Sequence, residues 1–236
     1  MQQPKHIPPH FYDADTQDLV VLIADMIHQL IAHNDRLPLT PAGLTRFHSR
    51  APPAISVQDY LSRIVRYTSL ERIALLSTVV YIDRLCSAFP AFVVSSLTIH
   101  RFLITATTVA SKGLCDAFCT NTHYAKVGGV TLSELNVLEL EFLAKLGWRI
   151  LSNPQELQTY YVNLSLNSPK FKRMLSDEEQ RLLAQSPPSQ ATEATQEETL
   201  DAITTTPIAA APPQIALTQA RLHPQPTPTP SQPCVW

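Results

Sequence analysis

The stretch TIHRFLITATTVASKGL, Thr98–Leu114, is apolar or small on almost every side and carries no charge between Arg101 and Lys112. A helix without a polar face cannot lie at a surface, so this segment is expected at the centre of a helical bundle. LERIALLSTVVYIDRLC, Leu70–Cys86, has the same character as far as its last turn. The two segments predict an all-α fold.

A pair of membrane-spanning helices is the competing interpretation of these segments. Charged residues flank or interrupt both of them, and the uncharged run between the two, Leu85 to Ile99, is broken by Pro90 and holds three serines. A spanning helix needs roughly 20 apolar residues. We therefore expect a protein that does not enter a membrane.

The segments around this central pair are amphipathic, with apolar residues at i, i+3 and i+4. Ser56 and Asn153 are candidate N-caps, Pro154 suits a first helical turn, and Gly147 stops a leucine-rich helix. No run with strand periodicity is long enough to predict a sheet. The predicted outer helices are Asp15–His33, Val57–Thr68, Thr131–Leu146 and Pro154–Leu166.

Composition divides the chain into four parts. Half of its 20 prolines lie from Pro187 onward, among Thr, Gln and Ala, where too little apolar surface is available to offset the entropy of ordering. We predict a disordered N-terminus over 1–14, an N-terminal helix and linker over 15–54, a folded helical domain over 55–165 and a mostly disordered tail over 166–236.

Charge and cysteine usage narrow the function classes. With 18 Lys and Arg against 20 Asp and Glu, the chain has no basic field that would recruit nucleic acid, so no direct nucleic-acid contact is expected. The N-terminus has no basic segment followed by an apolar one, and the four cysteines are scattered. An intracellular setting is expected.

Cys115, Cys119 and His123 are spaced four residues apart and could bind zinc from one face of a helix. Gly113 should end that helix, however, and no nearby Cys or His supplies a fourth ligand. A redox pair would need C-x-x-C spacing. Packing residues are the favoured interpretation, and no metal or cofactor is expected.

The sequence offers equally little support for a phosphate-binding loop or a catalytic site. The KVGGV stretch lacks the phosphate-loop pattern, and Glu139 and Glu141, two residues apart on a helix, face different sides. No residue is assigned a catalytic role, and the chain is not expected to be an enzyme.

Lys112 closes an almost uncharged helix near the negative end of its dipole. One interpretation is a simple cation at a helix end. The other is that Lys112 and Glu139, on neighbouring helices, form a charged pair at the rim of an apolar surface that binds a partner, which is ordinary interface anatomy.

A family resemblance covers about residues 55–165. The segments IHRFLITA, VASKGLCD, NTHYAKVGGV and ELNVLELEFL occur in the order and spacing of the cyclin box of fungal Pho-type cyclins, and the phosphate-pathway cyclins of yeasts are especially similar. The resemblance implies a single five-helix cyclin box, here with an extra N-terminal helix. It also implies a regulatory subunit that binds and activates a cyclin-dependent kinase.

Site residues follow from the same resemblance. The kinase-contacting Lys and Glu of cyclin boxes match Lys112 and Glu139, and apolar kinase contacts match Leu143, Trp148 and Ile150. Asp116 matches the position at which Pho-type cyclins are thought to supply an acidic substitute for an activation-loop phosphate.

Partners and location are implied more loosely. Phosphate-pathway members present a basic helix-loop-helix transcription factor to the kinase and respond to a kinase-inhibitor protein, and the resemblance favours the nucleus as well as the cytoplasm. VQDYLSRIV lacks the M-R-A-I-L-type patch with which many cyclins dock substrates. The alternative is a helical scaffold, associated with transcription, that has no effect on a kinase.

The tail holds minimal sites for a proline-directed kinase, because a proline follows each of Ser186, Thr206, Thr227 and Thr229. Phosphorylation there would require no rearrangement of the fold. Chance occurrence in a Pro/Thr-rich segment is the alternative.

Overall fold

The computed structural model describes residues 3–38 and 44–185. No helix in these ranges is long and apolar enough to cross a bilayer. The elements, in chain order, are β1 (Lys5–Ile7), α1 (Thr16–Asn34), α2 (Val57–Thr68), α3 (Arg72–Ala88), α4 (Ile99–Leu114), α5 (Asn121–Gly128), α6 (Leu132–Lys145), α7 (Pro154–Leu166), β2 (Phe171–Arg173) and α8 (Asp177–Gln185).

Helix α4 lies at the centre of the bundle, as its sequence predicts, and packs against α2, α3, α5 and α6. Its threonines are buried, and their hydroxyls donate to backbone carbonyls one turn back: Thr105 to Arg101 at 2.7 Å and Thr108 to Ile104 at 2.7 Å. Polar side chains can be buried when their hydrogen bonds are satisfied in this way. An all-α fold around a central helix is confirmed.

An aromatic cluster fills the space between α3, α4 and α6. Phe142 of α6 has its ring centroid 5.6 Å from that of Phe102 and 5.6 Å from that of Tyr81, both at steep interplanar angles. Phe47, from the segment between α1 and α2, completes the cluster at 6.2 Å from Phe142. Such edge-on pairs each contribute about 0.5–1.5 kcal/mol beyond the burial of their surface.

The predicted helix starts are also observed. The Ser56 hydroxyl accepts from the Asp59 amide at 3.0 Å at the start of α2, and the Asn153 side chain accepts from the Glu156 amide at 2.7 Å at the start of α7. Each of these bonds satisfies one of the amides that a helix N-terminus leaves without an intrahelical acceptor.

The prediction of a disordered N-terminus is wrong for residues 3–14. Ile7 and Ala14 are fully buried, and β1 pairs in parallel with β2, Lys5 opposite Phe171. The Tyr161 hydroxyl of α7 donates to the Pro8 carbonyl at 2.8 Å. A few apolar side chains packed on the bundle, together with these backbone hydrogen bonds, order a segment too short to show a periodic pattern.

The predicted disordered tail likewise begins too early. Residues 166–185 contain β2 and α8, and Arg173 forms a salt bridge with Glu179 whose shortest contact is 2.7 Å. Residues 55–165 hold six helices, α2–α7, where five were expected. The helix that the sequence interpretation missed is the short α5, which Thr120 caps and whose Tyr124 is fully buried.

Candidate functional site

Lys112 and Glu139 form a salt bridge between α4 and α6. Lys112 Nζ lies 2.5 Å from Glu139 Oε1. The glutamate is buried, with 11% of its side chain exposed, whereas the lysine side chain is 34% exposed. The structure therefore confirms that the two predicted charges meet on neighbouring helices.

Asn121, the first residue of α5, holds this pair in place. Its Nδ2 donates to Glu139 Oε2 at 2.8 Å and to Asn136 Oδ1 at 2.8 Å, while its Oδ1 accepts from Lys112 Nζ at 3.3 Å. Both carboxylate oxygens of Glu139 are thus occupied. Asn121 was not predicted, because α5 was missed, although Thr120 followed by NTHYA is a readable helix start.

The turn after α6 presents Trp148 to solvent. Gly147 and Trp148 both have positive φ, 57° and 62°. The Trp148 amide donates to the Leu143 carbonyl at 2.9 Å, and the indole side chain is 66% exposed. A bulky residue in the left-handed region is a genuine conformational outlier, and such residues cluster at functional sites.

Hydrogen bonds from α3 fix the backbone that follows Trp148. The Tyr81 hydroxyl donates to the Ile150 carbonyl at 2.7 Å, and Arg84 Nη1 donates to the carbonyls of Arg149 at 3.0 Å and Leu151 at 2.9 Å. Burial raises the pKa of Tyr81 to about 12, so its hydroxyl remains a donor over the physiological range. These bonds hold Ile150 in one position.

Ile150 lies against the last turn of α4, next to Lys112. A Cβ added to Gly113 would meet the Ile150 Cδ1 atom at 2.6 Å, so only glycine allows this approach without a shift. Leu143 is half-buried on α6, one turn after Glu139. We define the α4–α6 surface by five residues from the end of α4, from α6 and from the turn after it: Lys112, Glu139, Leu143, Trp148 and Ile150.

The outer side of α6 adds two residues that the sequence interpretation omitted. Leu140 is 62% exposed and Val137 is 40% exposed. Leu140 follows Asn136 by one turn and precedes Leu143 by three residues, so it extends the α4–α6 surface on the same helix. Leucines that recur outside the core-facing positions were the available sequence signal.

Asp116 lies in the exposed loop between α4 and α5, within reach of a partner. Among the described residues it makes neither a hydrogen bond nor a salt bridge. Its charge still has a local effect: burial first, then Glu71 and Asp116, raise the pKa of the Cys115 thiol to about 11.

The cysteines and histidine of the suspected zinc motif make separate contacts. Cys119 Sγ lies 4.0 Å from the Thr68 carbonyl, and His123 Nε2 lies 2.7 Å from the Tyr67 carbonyl. No group of three or more possible metal ligands occurs within residues 3–38 and 44–185.

Four predicted phosphorylation sites fall outside those ranges: Ser186, Thr206, Thr227 and Thr229.

Sequence comparison identifies the fold. A family model described as Cyclin matches residues 17–150, more than half of the chain, and the match includes every residue of the α4–α6 surface and Asp116.

The chain belongs to the cyclin family.

The relatives of this cyclin include proteins of two fungi and a plant. It is 49% identical over 171 residues to the Nuc-1 negative regulatory protein preg of Neurospora crassa, covering 71% of this chain and 35% of the relative. It is 48% identical over 169 residues to the PHO85 cyclin PHO80 of Saccharomyces cerevisiae, covering 70% and 57%. Cyclin-U1-1 of Arabidopsis thaliana is 35% identical over 161 residues, covering 66% and 77%.

These relatives confirm the resemblance to fungal Pho-type cyclins. The matched region is a little over a third of the Neurospora protein and a little over half of the yeast one. The kinase-contacting roles of Lys112, Asp116, Glu139 and their apolar neighbours remain predictions.

Proposed function

We propose that this cyclin is a regulatory subunit that binds and activates a cyclin-dependent protein kinase through the α4–α6 surface. The observation that carries the proposal is the Lys112–Glu139 pair, which Asn121 orients on a surface whose α6 end also exposes the apolar side chains of Leu140 and Trp148. Such a surface matches a protein interface, which has an apolar centre, a polar rim and aromatic anchors.

The residues of this surface have different roles in binding the kinase, and these roles follow from how far each side chain is buried. Trp148 exposes most of a large side chain that has only two side-chain torsions, so it can lose water-accessible area on binding at little entropic cost. Lys112 keeps a third of its side chain exposed, and its ammonium has one further N–H to donate to a carbonyl oxygen of the kinase. The hydrogen bonds to Glu139 and Asn121 fix the direction of that remaining N–H.

Activation then follows as a population shift. A cyclin activates a kinase when it binds the active arrangement of the kinase better than the inactive one. In the active arrangement the Lys–Glu ion pair and the metal-binding Asp of the kinase are both in place. A preformed surface favours one arrangement because its own geometry does not adapt to the other.

Asp116 is assigned to the activation segment of the kinase. Its exposed carboxylate, unpaired among the described residues, can accept a bidentate pair of hydrogen bonds from an arginine. One carboxylate carries about half the charge of a phosphate group. On this assignment the cyclin supplies the anion that other kinases obtain by phosphorylation.

The wider role proposed is phosphate-responsive control of a transcription factor, with a basic helix-loop-helix protein as substrate, a kinase-inhibitor protein as regulator, and both nucleus and cytoplasm as locations. The names of two relatives support the regulatory part of this role: one is a cyclin of PHO85 and the other a negative regulator of Nuc-1. The substrate, the inhibitor and the locations rest on the resemblance to phosphate-pathway cyclins.

The test is co-purification followed by a kinase assay. Tagged cyclin from its source cell should carry a cyclin-dependent kinase, and purified cyclin should activate PHO85, the kinase named with the yeast relative, while phosphorylating nothing alone. Lys112→Ala and Glu139→Ala should abolish both binding and activation, whereas Lys172→Ala, at an exposed position in β2, should leave them unchanged. Binding without activation would support the scaffold alternative instead.

A further inference from the structure

An open cavity of about 720 Å³ lies beside the α4–α6 surface, between the last turns of α3, the backbone after Trp148 and the middle of α7. Trp148 and Ile150 belong both to this cavity and to the α4–α6 surface, so the two are continuous. The other lining residues are Asp83, Arg84, Ser87, Ala88, Arg149, Leu151 and Tyr160.

Two of the lining residues are large, apolar and exposed. Trp148 is 66% exposed and Leu151 is 73% exposed. Large apolar side chains that line a concavity and remain in contact with water provide the kind of surface that a partner's apolar side chain covers.

The walls are rigid. Arg84 makes two hydrogen bonds to Glu156, at 3.0 and 2.8 Å, and also holds the carbonyls of Arg149 and Leu151. The Tyr160 hydroxyl donates to Asp83 Oδ2 at 2.6 Å. The concavity is therefore preformed, and filling it requires little ordering of this chain.

One cation that lines the cavity is available to a partner. Asp83 accepts a hydrogen bond from Tyr160, and Arg84 is paired with Glu156. The Arg149 guanidinium, by contrast, makes no salt bridge or hydrogen bond within the described part of the chain. A guanidinium that lines an open cavity is complementary to a carboxylate, with which it can form a bidentate pair.

We propose that this cavity is a second kinase-binding pocket, which receives an apolar side chain of the kinase between Trp148 and Leu151 and pairs a neighbouring Asp or Glu of the kinase with Arg149. The pocket rests on the proposed function, since its occupant is the same kinase. It extends the interface from the α4–α6 surface around Trp148 to α3 and α7.

Equilibrium binding of purified PHO85 to variants of the full cyclin tests this pocket. Arg149→Glu should weaken binding at least about tenfold, and Leu151→Ala about fivefold. Arg149→Lys keeps the positive charge but not the planar guanidinium that forms a bidentate pair, so its affinity should lie between those of wild type and Arg149→Glu. Leu166→Ala, at a position in α7 that is 74% exposed, is the matched control and should bind as wild type does. Because these side chains are exposed, thermal unfolding should be unchanged in every variant.

The outcomes separate the pocket from the function. If Arg149→Glu and Leu151→Ala both bind within twofold of wild type while Lys112→Ala loses binding, the pocket is wrong and the α4–α6 surface stands. If wild-type cyclin does not bind the kinase at all, both proposals fail. Salt provides a second test of the charge pairing. If Arg149→Glu loses binding but 0.5 M salt does not weaken the binding of wild type, the charge pairing is contradicted.

Discussion

The Lys112–Glu139 pair predicts an asymmetric cost of mutation. Replacing Lys112 by Met leaves a buried carboxylate that keeps only the Asn121 amide as a donor. Replacing Glu139 by Met instead leaves a lysine whose side chain is already one-third exposed and can extend its ammonium into water. The first variant should therefore be the less stable one.

The magnitudes follow from burial. Breaking a buried ion pair from one side costs about 3–5 kcal/mol, and the remaining Asn121 hydrogen bond places Lys112→Met at the lower end, about 3 kcal/mol. Glu139→Met should cost about 1 kcal/mol or less, because the cation that it leaves is solvated. The double variant replaces both charges by apolar groups of similar length and should lie within about 1 kcal/mol of wild type.

Urea unfolding of the four proteins, followed by circular dichroism, measures these differences and gives the coupling between the two sites. The reasoning is refuted if Glu139→Met is as destabilised as Lys112→Met, or if the double variant loses the sum of the single losses. Either result would mean that burial of the carboxylate does not dominate the energetics of the pair.

Three further predictions concern the core, the C-terminal segment and a thiol. Phe142→Ala should lower the free energy of unfolding by about 3–5 kcal/mol, because Phe142 is fully buried among aromatic rings; a loss under 1 kcal/mol in denaturant unfolding would contradict the packing. Hydrogen bonding to Arg173 holds the pKa of Glu179 at about 2, so its stabilisation is complete above pH 4.5 and lost as the pH falls toward 2; the hydrogen-exchange protection of α8 amides, corrected for the intrinsic exchange rate at each pH, should fall over that window and stay constant between pH 5 and 7. The Cys115 thiol, whose pKa is raised to about 11, should alkylate slowly at pH 8, and Glu71→Gln should accelerate it in peptide-resolved mass spectrometry; an unchanged rate would remove Glu71 as a cause.

The pattern of apolar residues alone was sufficient to predict the helical bundle. The apolar circumference of Thr98–Leu114 predicts a central helix, and α4 is central because no side of it can face water. Ser56 and Asn153 predict helix starts because their side chains satisfy local amides, which depends on few distant residues. Local signals of this kind can be recognised in the sequence without knowledge of the tertiary structure.

Short elements that tertiary contacts stabilise were not predictable. The strands β1 and β2 come from distant parts of the chain, Lys5–Ile7 and Phe171–Arg173, and neither is a strand without the other. Helix α5 has only eight residues, and its helicity depends on burying Tyr124 against the bundle. The disorder predictions failed at their edges for the same reason.

The site was predictable in part. The family resemblance placed Lys112 and Glu139, and the structure shows that they meet. Asn121 could not be inferred to bridge them, because it comes from an element that the sequence interpretation missed. The exposure of Trp148 depends on a left-handed backbone conformation, which no residue pattern indicates for tryptophan.

The most direct measurement is the rate of phosphate transfer by purified PHO85 to a Ser-Pro peptide as this cyclin is titrated in. Wild-type cyclin and Lys172→Ala should raise the rate to the same plateau, whereas Lys112→Ala and Trp148→Ala should reach it only at much higher concentration or not at all. A kinase that binds the cyclin at the same concentrations without any rise in rate would contradict activation through the α4–α6 surface.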